Sequence, residues 1–254
     1  PVSTPMEQAQ NYIEEAGHEN SGREVTNRLL ISDGHAGSRE EAVAYQNQLS
    51  DTEVSAYLRE ISADKLLMAS TTEDAQSLPM IFRDGVVVPA EPLLDVFSDV
   101  EKYSAVPIMI GTNRDEFKPF FIGNQDLVTL DWGFLPRAID PKHFQAVTGY
   151  FNDSWKARGV DEVSIRLVAS RAEPVFAYRF DWDELPTVLG VDLSQLLGAV
   201  HASEVPFVFE SFDDRLMNSV LFSSDNVPSR TELSEKMSSY WVEFAFNGLP
   251  GKGR

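Results

Sequence analysis

Apolar positions recur along this chain in two rhythms. Near the C-terminal end, Leu233, Met237, Tyr240, Trp241 and Phe244 fall at three- and four-residue spacing, and Gly248 follows them. That spacing predicts an amphipathic helix laid on a core and stopped by glycine. Elsewhere the apolar residues form short unbroken runs. AVPIMIGTN (105–113) and PVFAYRFDW (174–182) mix aliphatic, aromatic and β-branched residues between turn-forming ones, as buried strands do. DGVVVP predicts a third, shorter strand over Val86–Val88 before a proline-punctuated loop.

Polar punctuation marks where helices start. Ser38 with Glu41, Ser50 with Glu53 and Ser229 with Glu232 each have the spacing of a capping box. Thr4 with Glu7 repeats it, adding Pro5 at the first helical position and an end near Gly17. Asp140 followed by Pro141 opens a fifth helix through HFQAVTGYF, and VDEVSIRLVASRA reads as a sixth. Strands alternating with helices imply an α/β class. Two central strands are too few, however. Parallel sheets need both faces covered and usually about four or more strands. No repeat, low-complexity tract or linker divides the chain. The expectation is therefore that residues 1–254 are the C-terminal part of one larger α/β domain, with an incomplete central sheet and flanking helices.

Composition removes several function classes. The chain carries 40 acidic and 21 basic residues, a formal net charge of −19. Such a surface repels phosphate backbones and argues against a nucleic-acid partner. Cysteine is absent, so disulfides, thiolate metal sites and cysteine nucleophiles are excluded. No apolar run approaches the ~18–20 residues of a membrane span. The compartment stays open, secreted or periplasmic and cytoplasmic alike. His18, His35, His143 and His201 have no second histidine at ligand spacing, and neither HExxH nor a nucleotide phosphate loop is present. No metal and no cofactor is expected.

What remains is an acid and a histidine, each just past a strand. IMIGTNRDEF runs from the first strand into Glu116, and the second strand is followed by LLGAVHASEVPFVF, which contains His201. Groups past the carboxyl ends of strands line the sites of open α/β sheets. Both residues also have a bland reading, a solvated loop carboxylate beside Arg114 and a histidine satisfied by loop backbone. The order acid, then histidine, is that of the last two members of a Ser…Asp/Glu…His triad. In such a triad, imidazole removes the serine proton and a carboxylate fixes its tautomer.

These segments resemble the type-B carboxylesterases, the cholinesterase-like branch of the α/β-hydrolases. IMIGTNRDEF is similar to the family's G-x-N-[RK]-D-E segment, and LGAVHASEVPFVF to its G-x-x-H-x-x-E segment. VFAYRFD, DGVVVPAEPLLDV and the closing SSYWVEFAFNGLP match further stretches in the family's order. Residues 2–70 resemble the helical region that follows the nucleophile in bacterial members. The resemblance implies an α/β-hydrolase fold acting on small carboxylic esters, with Glu116 as triad acid and His201 as base. It makes Glu204 a supporting carboxylate and Phe120 a pocket-lining aromatic, although Phe117 stands where the family usually has glycine. No serine has glycine two residues before and two after it, so the nucleophile elbow and oxyanion-hole glycines are not in this chain. They are expected in an N-terminal part, on the same or a separate chain, without which this chain is inactive. The alternative is a non-catalytic binding or adhesion module of the same fold. Retention of both Glu116 and His201 argues against it.

Overall fold

The computed structural model describes residues 4–15, 17–19, 21–71, 81–170, 173–212 and 221–252; the side chains of Thr4 and Glu7, and with them the expected Thr4–Glu7 box, lie outside it. The chain falls into two compact units, residues 2–93 and 94–254.

The first unit is helical. Strand β1 (Thr4–Pro5) pairs in parallel with β2 (Phe82–Arg83). Between them run α1 (Met6–Ile13), α2 (Gly22–Ser32), α3 (Arg39–Gln46), α4 (Asp51–Glu60) and α5 (Ala63–Ser70). Helix α1 starts at Met6 and ends at Ile13, short of Gly17. Ser21, Ser38, Ser50 and Ser62 each accept an amide proton at the next helix start, satisfying a donor the helix itself cannot. Only Ser50 and Glu53 complete the reciprocal box; Glu41 reaches the Gly37 amide instead. Leu30, Ala36 and Ala42 form the apolar centre. Beside it Glu24 is buried and receives Arg39, Asn27 and the Gly17 amide. Those donors hold its carboxyl below the usual carboxylate range, the Arg39 hydrogen bond most of all.

The expected strand at Val86–Val88 is a turn. The Asp84 carboxylate accepts the amides of Val86, Val87 and Val88, each at 2.9 Å, which removes them from any ladder.

The second unit opens with a single turn, α6 (Leu93–Val96), at its boundary, and then β3 (Ile108–Asn113) and α7 (Lys118–Phe121). A hairpin, β4 (Val128–Asp131) and β5 (Leu135–Ala138), precedes α8 (Pro141–Lys156) and α9 (Glu162–Ala169). These two helices are continuous through a π-turn at Ala157–Asp161, so the fifth and sixth expected helices are one rod. Strand β6 (Val175–Phe180) follows, then the short pair β7 (Thr187–Val188) and β8 (Val191–Asp192), α10 (Leu193–Leu196), α11 (Val205–Val208) and α12 (Val227–Asn247). Helix α12 begins two residues before Ser229 because Pro228 occupies its first turn; Ser229 bonds Glu184 instead of capping. Gly248, at φ 67°, stops the helix.

The fold is thus mixed α/β, and every sheet among the described residues has two strands. Strands β3 and β6 pair in parallel with Gly111 opposite Tyr178. The ladder begins where Ile108 donates to Pro174, since Pro107 has no amide to give. The apolar core lies in two clusters. One gathers Leu127, Val128, Leu135, Phe144 and Leu196. The other surrounds Phe207, fully buried, whose ring packs on Phe180, Trp182 and Phe212. Helix α12 is tied to it by Ser234 Oγ donating to the Phe207 carbonyl at 2.7 Å.

Beyond β3, an ionic knot fixes the next loop. Asp115 is buried; its carboxylate accepts the Ala199 amide at 3.0 Å and meets Arg114 and Lys118. Arg114 also reaches Asp183. Lys118 is only 2% exposed, and burial holds its ammonium below the usual lysine range against the attraction of Asp115. Gly198, at φ +64°, passes so close that a Cβ there would stand 2.1 Å from Asp115.

Two outcomes follow from this packing. Gly111→Ala would place a Cβ 2.2 Å from the Tyr178 ring and should cost about 1–3 kcal/mol, read as a lower denaturant midpoint; an unchanged midpoint contradicts the close approach. Asp115→Asn leaves the buried Lys118 charge without its partner and should cost about 3–5 kcal/mol in the same measurement.

Candidate functional site

The site is built where β3 and β6 end side by side. Past the ladder, Arg114 donates its amide to the Phe180 carbonyl and Asp115 donates to the Ala199 carbonyl. The loop after β3 is thereby stitched to the loop that carries His201. The chain turns at Asn113, and Glu116 folds back over the strand end. Its Oε1 accepts the Asn113 amide at 2.8 Å and the Thr112 hydroxyl at 3.1 Å. Its Oε2 lies 2.6 Å from His201 Nδ1. Glu116 is 8% exposed, so the solvated-loop reading of this residue does not hold.

The histidine is arranged differently. The side chain of His201 is 62% exposed while that of Glu116 is 11% exposed. A carboxylate can only accept, so Nδ1 donates to Glu116 and Nε2 is the nitrogen turned away from it. Among the described residues Nε2 makes no hydrogen bond, and it is the nitrogen left for another group.

The histidine turn is held tightly. Ala202 sits at φ 64°, a left-handed conformation that costs a non-glycine residue roughly 1–2 kcal/mol. It persists because the Val200 carbonyl is clamped. Ser203 donates to it through its amide at 3.0 Å and through its hydroxyl at 2.6 Å. Asn113 Nδ2 donates to the same oxygen at 2.8 Å.

Glu204 immediately precedes α11, and its side chain makes no capping bond there. Its Oε2 accepts from Asn113 Nδ2 at 2.5 Å, so it joins the cluster through Asn113. Tyr178, across the ladder from Gly111, feels both carboxylates. Burial first, then the charges of Glu204 and Glu116, push its phenol above the usual tyrosine range, which keeps it neutral.

Phe120 stands apart from this cluster. It lies on α7, 70% exposed, with its ring 5.6 Å from that of Phe117. Phe117 in turn packs on Phe151 and Trp155. The other histidines are elsewhere. His18 packs on Tyr12, His35 lies between Tyr45 and Tyr57, and His143 is exposed in the first turn of α8. No group of three or more acidic or histidine side chains among the described residues could hold a metal ion. No helix among them is long and apolar enough to cross a membrane.

Sequence reasoning passed over Thr112, Asn113 and Asp115. All three lie in IMIGTNRDEF, and buried polar residues in a run that ends a strand were the available sign. What the run could not disclose is their partners, some 84 to 91 residues away for Asp115 and Asn113.

No protein-family model matches the chain. Para-nitrobenzyl esterase of Bacillus subtilis (strain 168) is 27% identical over 218 residues, covering 76% of this chain and 41% of that enzyme. Fumonisin B1 esterase of Sphingopyxis macrogoltabida is 26% identical over 211 residues, 72% of this chain and 37% of that protein. A protein named inactive carboxylesterase-like protein VdtD, from Byssochlamys spectabilis, is 30% identical over 87 residues, 34% of this chain and 14% of its own. The chain spans well under half the length of each. The two longer alignments imply an α/β-hydrolase fold, and across about three quarters of its residues this chain is related to the type-B carboxylesterases.

Proposed function

We propose that the chain is the C-terminal portion of a single-domain serine carboxylesterase and supplies the acid and base of its triad. The observation that carries this reading is the 2.6 Å contact between His201 Nδ1 and Glu116 Oε2, made across 85 residues of sequence. Glu116 acts as the acid: its second oxygen is held by the Asn113 amide and the Thr112 hydroxyl, so the carboxylate cannot rotate away from the ring. His201 acts as the base, taking the proton of a serine hydroxyl at Nε2 and returning it to the leaving alcohol. The positive charge on the ring during acyl transfer is met by Glu116.

The nucleophile and the oxyanion donors come from an N-terminal portion outside this chain, either covalently continuous or a separate polypeptide. Two features support this. Two-stranded sheets are marginal by themselves, and β3–β6 is such a sheet. The curated relatives extend well beyond the aligned region. Alone, the chain lacks the groups that attack the ester and stabilise the tetrahedral oxyanion, and it is inactive.

The substrate is a small carboxylic ester, with Phe120 as one wall of its pocket, supported by the exposure of that ring beside Phe117. Glu204 supports the base turn as a second carboxylate. A binding or adhesion module of the same fold is not favoured, because the two relatives that cover most of the chain are named as esterases.

In the complete protein, His201→Ala should lower p-nitrophenyl ester turnover by roughly 10³-fold or more with the fold intact. Glu116→Gln should lower it by up to about 10⁴-fold, because an amide no longer enforces the tautomer. Substantial turnover by His201→Ala removes the base assignment, and wild-type rates in Glu116→Gln transfer the acid role to another carboxylate.

A further inference from the structure

Asn113 bonds to Glu116, to Glu204 and to the backbone immediately before His201. It is 3% exposed. Its backbone amide donates to Glu116 Oε1 at 2.8 Å. Its side-chain amide donates one proton to the Val200 carbonyl at 2.8 Å and the other to Glu204 Oε2 at 2.5 Å. Val200 immediately precedes His201. The left-handed Ala202 immediately follows it. The Asn113 side chain therefore joins the end of the acid strand to the backbone of the histidine turn at Val200, one residue past the Ala199 amide that the Asp115 carboxylate holds.

The chemistry of the amide suits this place. An Nδ2 group has two protons at a fixed angle, and here each has an acceptor. A carboxylate would present lone pairs to two oxygens and be repelled by both. A hydroxyl has one proton and could satisfy only one of them. Glu204 can be read in the same terms. Its carboxylate fixes the rotation of the Asn113 amide, which joins it to the Val200 carbonyl.

We propose that Asn113 is a positioning residue: its side-chain amide clamps the Val200 carbonyl and the Glu204 carboxylate so that the His201 turn holds Nδ1 against Glu116. It touches neither substrate nor reacting atoms. The proposal rests on the Ser–His–Glu reading for its catalytic consequence, though its geometric content does not.

The test uses the complete protein, with Asn113→Ala and Asn113→Asp. The aspartate variant has nearly the same shape and keeps the volume filled, so it carries the test where the alanine variant does not fold. Two readouts are taken: kcat and KM on a p-nitrophenyl ester, and the downfield Nδ1–H proton signal of His201 in the histidine-labelled protein. Both variants should lose about tenfold or more in kcat, as small misplacements of a catalytic group do, while KM changes by less than about threefold. The His201 signal should broaden or move upfield in both. A variant that folds, keeps kcat within about twofold of the wild type and leaves the His201 signal unchanged overturns the proposal. Loss of kcat with an unchanged signal also overturns it, because the loss then has another origin. If His201→Ala retains turnover, the triad reading fails by itself, and the Nδ1 signal still reports whether Asn113 places the ring.

Discussion

The parallel ladder between Ile108–Asn113 and Val175–Phe180 is the constraint on which the site depends. It aligns the ends of two strands far apart in sequence, so the loops that leave them start as neighbours. The Arg114 amide adds one more bond to Phe180, and Asp115 then holds Ala199 through both its amide and its carboxylate. The register is enforced from inside by Gly111, which leaves room for the Tyr178 ring, and Tyr178 is in turn packed edge-on against Trp241 of α12. A slip of one residue would turn each strand side chain to the other face and would part Glu116 from His201, whose contact spans the two loops.

Two adjacent carboxylates meet opposite treatments at this point. Asp115 is neutralised by Arg114 and Lys118 and spends its charge on structure. Glu116 receives neutral donors, a hydroxyl and an amide, and an imidazole. Its charge is not cancelled by a resident cation. In a buried setting such a charge acts strongly on the ring beside it. In the proposed chemistry this division lets the knot of ion pairs hold the loop while Glu116 remains free to stabilise the imidazolium. The exposed face of His201 is the side on which a nucleophile from the rest of the protein would approach.

Much of the architecture was legible in the sequence, and the exceptions have physical causes. Both long strands were visible as apolar runs closed by turn residues, and Ser38, Ser50 and Asp140 marked true helix starts because each capping side chain serves its own next turn. Val86–Val88 has strand composition yet forms a turn, since one aspartate two residues upstream captures three amides. The Ser229 spacing misleads because Pro228 had already begun the helix. At the site, placement past two strand ends and the order acid then histidine pointed to Glu116 and His201, and the resemblance of two short motifs gave each a role. Asn113 stayed invisible because its work is done on partners across the fold, and a hydrogen bond between distant residues leaves no local pattern.

In the proposed chemistry, His201 Nε2 faces a serine nucleophile contributed by the rest of the protein. The direct measurement is a crystal structure of the complete protein after reaction with a fluorophosphonate. That structure should show one phosphonylated serine whose Oγ lies about 3 Å from His201 Nε2, with Nδ1 still bonded to Glu116. A labelled serine beside a different histidine, or no labelled serine at all, would contradict it.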